Sequence, residues 1–403
     1  MALKTKVIIG IVVLILVAGT GAAAMYFFAG DKTKSDTPKV VAQEDEEEEG
    51  SGLVYPLTGL EAEDEEMVNA RPLCVKIPND GPARPQTNIN LADVVYETLV
   101  EGGETRMNAI YQSMIPEDVG PVRSARLSDI WIVPQYKGML FFSGANDQVR
   151  GEIEAHGISD MRWSYADSIY FRSNNGRDDL HNLHIRLNEA YSVAESRDYK
   201  ASSDTPSMLH FEGVDYDDDG SSDTGSANSN SDDNDSDSPD SDTSDDDSNN
   251  SGSDNNTDSD SKLDSFDETT SGGSYLQVFI SHIADIEFKW DSQKKRYLKW
   301  INGEEHKDAA TDEQINVANV VVLWTEYIEQ SKKDSAGSPT YDTVLGGSGK
   351  ASVFKNGERY DCQWKADEST PPRFYDSEGE EVLLTPGNTW IIVPQKTADF
   401  TSE

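Results

Sequence analysis

An unbroken apolar run from Val7 to Gly30, preceded by Lys4 and Lys6, constrains this chain more than any other feature. As a helix it reaches about 36 Å, enough to cross a hydrocarbon core of about 30 Å with some tilt. No later segment repeats it, so one span and one large water-soluble body are expected. Residues 1–6 carry the two lysines and predict a cytoplasmic N-terminus with an exported body, although Lys32, Lys34 and Lys39 weaken the asymmetry. Residues 7–30 are therefore read as a transmembrane signal anchor and the chain's contact with the membrane. A cleaved leader is the alternative, because Ala22, Ala23 and Ala24 offer small residues late in the run. The run is long for the apolar part of a leader and resumes with Met25 to Phe28, which favours retention.

The chain has a net charge of −41, which argues against a nucleic-acid partner held through its phosphates. Residues 211–270 hold 21 Asp and Glu against Lys262 alone, about half of that charge. Such a segment repels itself and has little apolar surface to bury, so 213–274 is read as a disordered Asp/Ser-rich insert. Residues 31–54, with Pro38, the run Glu44 to Glu49 and Gly50-Ser-Gly52, read as an acidic stalk.

What remains is an N-terminal part, 55–212, and a C-terminal part, 275–398, together large enough for two ordinary cores. In the first, Leu73 to Ile77, Val94 to Val100, Met107 to Met114 and Met139 to Ser143 read as strands. Helices are expected at Gln148 to Ala155, with Asp147 as N-cap and Gly157 as stop, and at Leu187 to Ala194. The second part reads as almost entirely β, punctuated by Asn302-Gly303, Asn356-Gly357, Glu378-Gly379 and Pro386-Gly387. The fold class is therefore α+β, a mixed α/β subdomain followed by a β-rich one. Cys74 and Cys362 could pair in an oxidising space, but Leu73-Cys74-Val75 reads more simply as a buried thiol.

Several ordered motifs resemble the YerB-like family of bacterial cell-envelope lipoproteins. In the N-terminal part these are Tyr55-Pro-Leu-Thr-Gly59, Arg71-Pro-Leu, Arg84-Pro-Gln, Ala92-Asp-Val-Val-Tyr-Glu97, Glu101-Gly-Gly-Glu-Thr-Arg106, Gly120-Pro-Val-Arg-Ser-Ala-Arg126 and His181-Asn-Leu183. Asn319-Val-Val-Val, Gly347-Ser-Gly349, Pro372-Arg-Phe and Pro386-Gly-Asn-Thr-Trp390 continue the resemblance in the C-terminal part. It implies an envelope location and a two-part architecture rather than an activity. The chain departs from the family in two respects: no cysteine precedes Cys74 to accept a lipid, so the apolar run replaces it as anchor, and the acidic insert is additional.

The arginines admit two readings, an anion site and a set of structural ion pairs, of which the second is the simpler. Arg84, Arg106, Arg123 and Arg126 stand in Gly- and Pro-rich turns, followed by Arg172, Arg177, His181, Asn182 and His184. Guanidinium forks bind carboxylate and phosphate with paired hydrogen bonds, so Arg84, Arg106, Arg123, Arg126, His181 and Asn182 are candidate ligand-binding residues. The competing reading pairs these arginines with Asp93, Glu97, Glu101 and Glu104 as loop pins. A binding or scaffolding module for an anionic envelope ligand or a partner protein is expected. An envelope hydrolase or transferase is the alternative, with His181 as acid or base, Glu101 or Glu104 as its partner and the arginines as charge stabilisers. No cofactor or metal is expected. His181 and His184 lack further ligands, the Asp215-x-Asp217-x-Asp219 stretch has Ser226 where a calcium loop needs Glu, and Gly346 to Lys350 misses the phosphate-loop spacing and reads as a turn.

Overall fold

The computed structural model describes residues 52–203, 209–216, 272–333 and 337–403. The expected span at 7–30, almost all of the stalk and residues 217–271 of the insert lie outside them. Among the described residues no helix is long and apolar enough to cross a membrane.

The N-terminal part contributes β1 (Leu73–Pro78), β2 (Val94–Leu99), β3 (Thr105–Tyr111), β4 (Asp118–Val119), β5 (Met139–Phe141), β6 (Ser159–Asp160), β7 (Tyr170–Arg172) and β8 (Leu183–Arg186). Its helices are α1 (Glu65–Asn69), α2 (Ser128–Gln135), α3 (Asp147–Ala155) and α4 (Ala190–Glu195). The C-terminal part supplies β9 (Tyr275–Ser281), β10 (Ala284–Asp291), β11 (Arg296–Ile301), β12 (Glu304–Glu305), β13 (Asn316–Val317), β14 (Asn319–Leu323) and β15 (Tyr327–Lys333). It continues with β16 (Pro339–Thr343), β17 (Gly347–Lys355), β18 (Glu358–Ala366), β19 (Arg373–Tyr375), β20 (Thr389–Val393) and β21 (Asp399–Ser402). The mixed first part and β-rich second part match the expected α+β class at that level.

Ten strands form one sheet in the order β19-β18-β17-β14-β20-β2-β3-β1-β5-β6. Strands of both parts meet where β20 pairs in parallel with β14 on one side and β2 on the other. Alternate residues of this sheet enter two apolar layers. Leu73, Val75 and Ile77 of β1, Val320 and Val322 of β14, and Trp390 and Ile392 of β20 pack with Leu276, Val278, Ile286 and Phe288 of the second sheet. Cys74, Val321, Leu323, Ile391 and Val393 point the other way, to Ile130, Ile132 and Val133 of α2 and Val149 and Ile153 of α3. Burial on both faces explains why these strands read as continuous apolar runs. Each layer draws on both parts of the chain, so the apolar cores do not follow the sequence boundary between the two expected subdomains.

Local expectations are met where turn chemistry decides. Asn302-Gly303 and Asn356-Gly357 both have positive φ at each residue, and they join β11 to β12 and β17 to β18. Three details differ. The cap of α3 is Asn146, whose side chain accepts from Val149 N at 2.9 Å, and Asp147 is the first helical residue. Helix α2 was not anticipated; its Pro134 is tolerated because it lies in the last turn. Gly347 to Lys350 lie within β17 rather than in a turn. The cysteines are free and buried. Cys74 and Cys362 lie on β1 and β18, six strand spacings or roughly 29 Å apart, far beyond disulfide reach.

Candidate functional site

Parallel strands β1 and β5 pair only from Leu73 to Val75 and from Met139 to Phe141. Beyond that point they separate, and the segment after Gly120-Pro121 fills the gap. Arg123 N donates to Lys76 O at 2.8 Å, Ser143 N donates to Arg123 O at 2.9 Å, and Ala125 N donates to Gly144 O at 2.9 Å. Strand β5, helix α3 and strand β6 form a βαβ unit with β5 and β6 parallel, so this gap opens at carboxyl ends of parallel strands, where α/β proteins place ligands.

Asp129 fixes the segment from below. Its carboxylate accepts from Arg126 N at 2.7 Å, from Lys76 Nζ at 2.7 Å and from Asn108 Nδ2 at 2.9 Å. Lys76 and Asp129 are fully buried, and burial lowers the Lys76 pKa despite the facing carboxylate. The β2–β3 turn closes the site from above. Gly102 and Gly103 take φ of 74° and 81°, conformations open to glycine, and so turn Glu101 and Glu104 back over the strand ends.

Three arginines meet here. Arg106 donates to Ser124 O at 2.9 Å, and its pKa is pushed down to about 9, first by burial and next by the neighbouring Arg126 guanidinium. Arg126 pairs with Glu101 at 2.7 Å. Arg123 lies within electrostatic reach of Arg106 and Glu104; its Nε is buried without a hydrogen-bond partner. Glu104 lies within electrostatic reach of Asp80, Arg106, Arg123 and His181, and burial raises its pKa. His181 lies between two carboxylates: Nδ1 hydrogen-bonds Asp178 at 2.7 Å, and Nε2 is 2.6 Å from Asp80 without a hydrogen bond.

The structure thus brings together Arg106, Arg123, Arg126, Glu101, Glu104 and His181. It sets Arg84 apart. That guanidinium donates to Asn79 O at 3.0 Å and lines a separate cavity of about 440 Å³ with Ile301, Glu304 and Lys307. Asn182 accepts from Arg172 at 2.7 Å and so orders the β7–β8 loop. Arg177 staples that loop to the neighbouring turn through Ala83 O at 3.0 Å and Pro85 O at 2.8 Å. His184 pairs with Asp118 at 2.7 Å. Among the described residues no three His, Cys, Asp or Glu side chains are placed to hold a metal ion.

The loop-pinning reading holds for Glu101 but not for Asp93 or Glu97. Asp93 accepts from Gln112 N at 2.6 Å and Ser113 N at 2.8 Å. Glu97 is fully buried and accepts from Asn79 at 2.7 Å, Thr105 at 2.8 Å and Trp390 Nε1 at 2.9 Å, with Lys299 Nζ 3.1 Å away. Sequence reasoning missed Asp80, Asp129, Lys76 and Lys299. Lys76 carried a local signal, a charge inside the apolar run Leu73 to Ile77.

Residues 57–200 match the model described as protein of unknown function (DUF3048) N-terminal domain, and residues 276–391 match that of its C-terminal domain. Over 350 residues the chain is 26% identical to the "Putative lipoprotein YerB" of Bacillus subtilis, covering 86% of this chain and 88% of that protein. The crystal structure of YerB from Bacillus subtilis superposes with a TM-score of 0.65 at 22% identity, covering 87% of this chain and all of that one, a likeness of fold. Carrying both matched domains in order, the chain belongs to the DUF3048 family and has the two-part organisation of YerB.

Proposed function

We propose that this chain is a membrane-attached, extracytoplasmic envelope protein whose N-terminal part binds an anionic ligand through Arg123, with Arg106 and Arg126 beside it. The observation that carries the reading is Arg123, whose buried Nε has no partner although it lies within electrostatic reach of the Arg106 guanidinium. Such a group gains from an anion more than a paired arginine does, because charge-assisted hydrogen bonds are the strong ones. Arg126 already has Glu101 and Arg106 already has Ser124 O, so they frame the site while Arg123 offers the open valences. Binding is favoured over catalysis because both ring nitrogens of His181 lie against carboxylates, Nδ1 hydrogen-bonded to Asp178 and Nε2 2.6 Å from Asp80. Location rests on the apolar run and on the lipoprotein name of the Bacillus relative.

Two experiments test this reading. Full-length protein in detergent should bind pyrophosphate in calorimetry, and Arg123→Ala should weaken binding by about 1.5–3 kcal/mol, the worth of a charged hydrogen bond, with an unchanged melting curve. A parent that binds no anion, or an Arg123→Ala variant that unfolds, makes these arginines structural. For location, protease added to intact wall-stripped cells should cut the body; protection until lysis refutes the exported orientation.

A further inference from the structure

Helix α2 is apolar on more than the side that meets the sheet. Besides Ile132 and Val133, which pack into the core, it carries a row at i, i+3, i+4 and i+7, Leu127, Ile130, Trp131 and Pro134, that lines a cavity of about 440 Å³. At about 1.5 Å per residue this row runs for roughly 10 Å. The Trp131 ring lies so close to Gly346 that a Cβ there would come within 2.5 Å of it, and Trp131 Nε1 donates to Asp342 at 3.4 Å, so the indole is held in place.

The charge around this cavity has one sign. Glu152 of α3, Asp342 of β16 and Glu368, between β18 and β19, stand on three separate elements, and no lysine or arginine is among the described residues that line it. The one lining base, His156, lies 3.7 Å from Glu152. Arg126 and Arg150, close by in the chain, are committed to Glu101 and Asp147. The walls are tied together. Gln148 Nε2 donates to Gln330 Oε1 at 3.0 Å, joining α3 to β15, and Gln135 Nε2 donates to Asp367 O at 2.8 Å, holding the loop that carries Glu368 against α2.

Carboxylates spread over three elements do not converge on one metal ion, and among the described residues no three such side chains are placed to hold one. They suit a cation whose charges are themselves spread out, and the apolar row between them suits methylenes. An ammonium group also gains at the face of an indole. We infer that the cavity binds a linear alkyl polyamine, with its methylenes along Leu127, Ile130 and Pro134 and its ammonium groups on Trp131 and the separate carboxylates. Such a ligand is opposite in charge to that of the arginine site, and neither site requires the other.

Full-length protein in detergent is titrated by calorimetry at physiological salt with spermidine, hexaamminecobalt(III) and butylammonium. The first two are trications with and without methylenes, an equal-charge comparison made necessary by residues 211–270, whose carboxylates attract any cation. Spermidine should bind at one saturable site, about tenfold more tightly than the cobalt complex, because only spermidine buries methylenes. Trp131→Ala should weaken spermidine about tenfold and Trp131→Phe should keep most of the affinity. Asp342→Asn and Glu368→Gln should each weaken spermidine about three- to fivefold and leave the cobalt titration unchanged. These two variants decide the matter should Trp131→Ala lose the folded state. Equal affinity for the two trications, or an unchanged spermidine affinity in both carboxylate variants, reduces the cavity to acidic surface and overturns the inference. Butylammonium binding as tightly as spermidine makes the ligand a monocation and also overturns it.

Discussion

Replacing Glu97 with glutamine is expected to destabilise the protein by about 3–5 kcal/mol, because it strands Lys299 in the interior without a counter-charge. Both side chains are fully buried, and the amide nitrogen of a glutamine would face either Lys299 together with the Trp390 N–H, or the Asn79 amide together with the Thr105 hydroxyl, all of which donate to the carboxylate. The pair also joins distant parts of the chain, since Glu97 on β2 meets Lys299 on β11. Lys299→Met should cost a similar amount by leaving the carboxylate uncompensated. The double variant Glu97→Leu with Lys299→Met should recover much of the loss, because a buried ion pair gives back in attraction only part of what its desolvation takes. Urea unfolding of the three variants decides the matter; single replacements within about 1 kcal/mol of the parent would mean that the pair is solvated after all.

Asp129→Ala should be comparably severe, at about 3–5 kcal/mol, and should also damage anion binding. One carboxylate holds the buried Lys76 ammonium and the Arg126 backbone, so its loss both unpairs a charge and frees the segment that presents the arginines. The two consequences separate in the double variant Lys76→Met with Asp129→Leu. Stability should largely return, whereas pyrophosphate affinity should not, because Arg126 N still lacks its acceptor. Recovery of both would show that Asp129 serves only Lys76.

Much of the fold could be read along the chain because its strongest signals are local. Asn319 to Leu323 and Thr389 to Val393 announce themselves as buried strands by unbroken β-branched and apolar content, and Asn-Gly pairs mark the hairpins. Helix α2 has no capping side chain to announce it, since Leu127 stands at its N-cap. The arginine motifs were visible for the same local reason, as guanidiniums among glycines and prolines. Their order of importance was not. Arg84 looks like Arg123 in sequence, and only the wedge between β1 and β5 decides which of them meets Arg106 and Arg126. Asp80 with His181 and Glu97 with Lys299 had no signal at all, since each partner is defined by a strand that pairs from far along the chain.

The position of β20 has a consequence for how the molecule comes into being. Val94 of β2 finds its parallel partner Thr389 only after nearly every other strand of the same sheet has emerged. Until then β2 presents an open hydrogen-bonding edge beside apolar side chains, a surface that invites pairing with other chains. Contacts spanning so much sequence also make closure slow. A chain wired in this way cannot finish its central sheet before β20 has emerged. β20 is thus the latch of that sheet, joining β2 and β14 only when almost all of its other strands are already present.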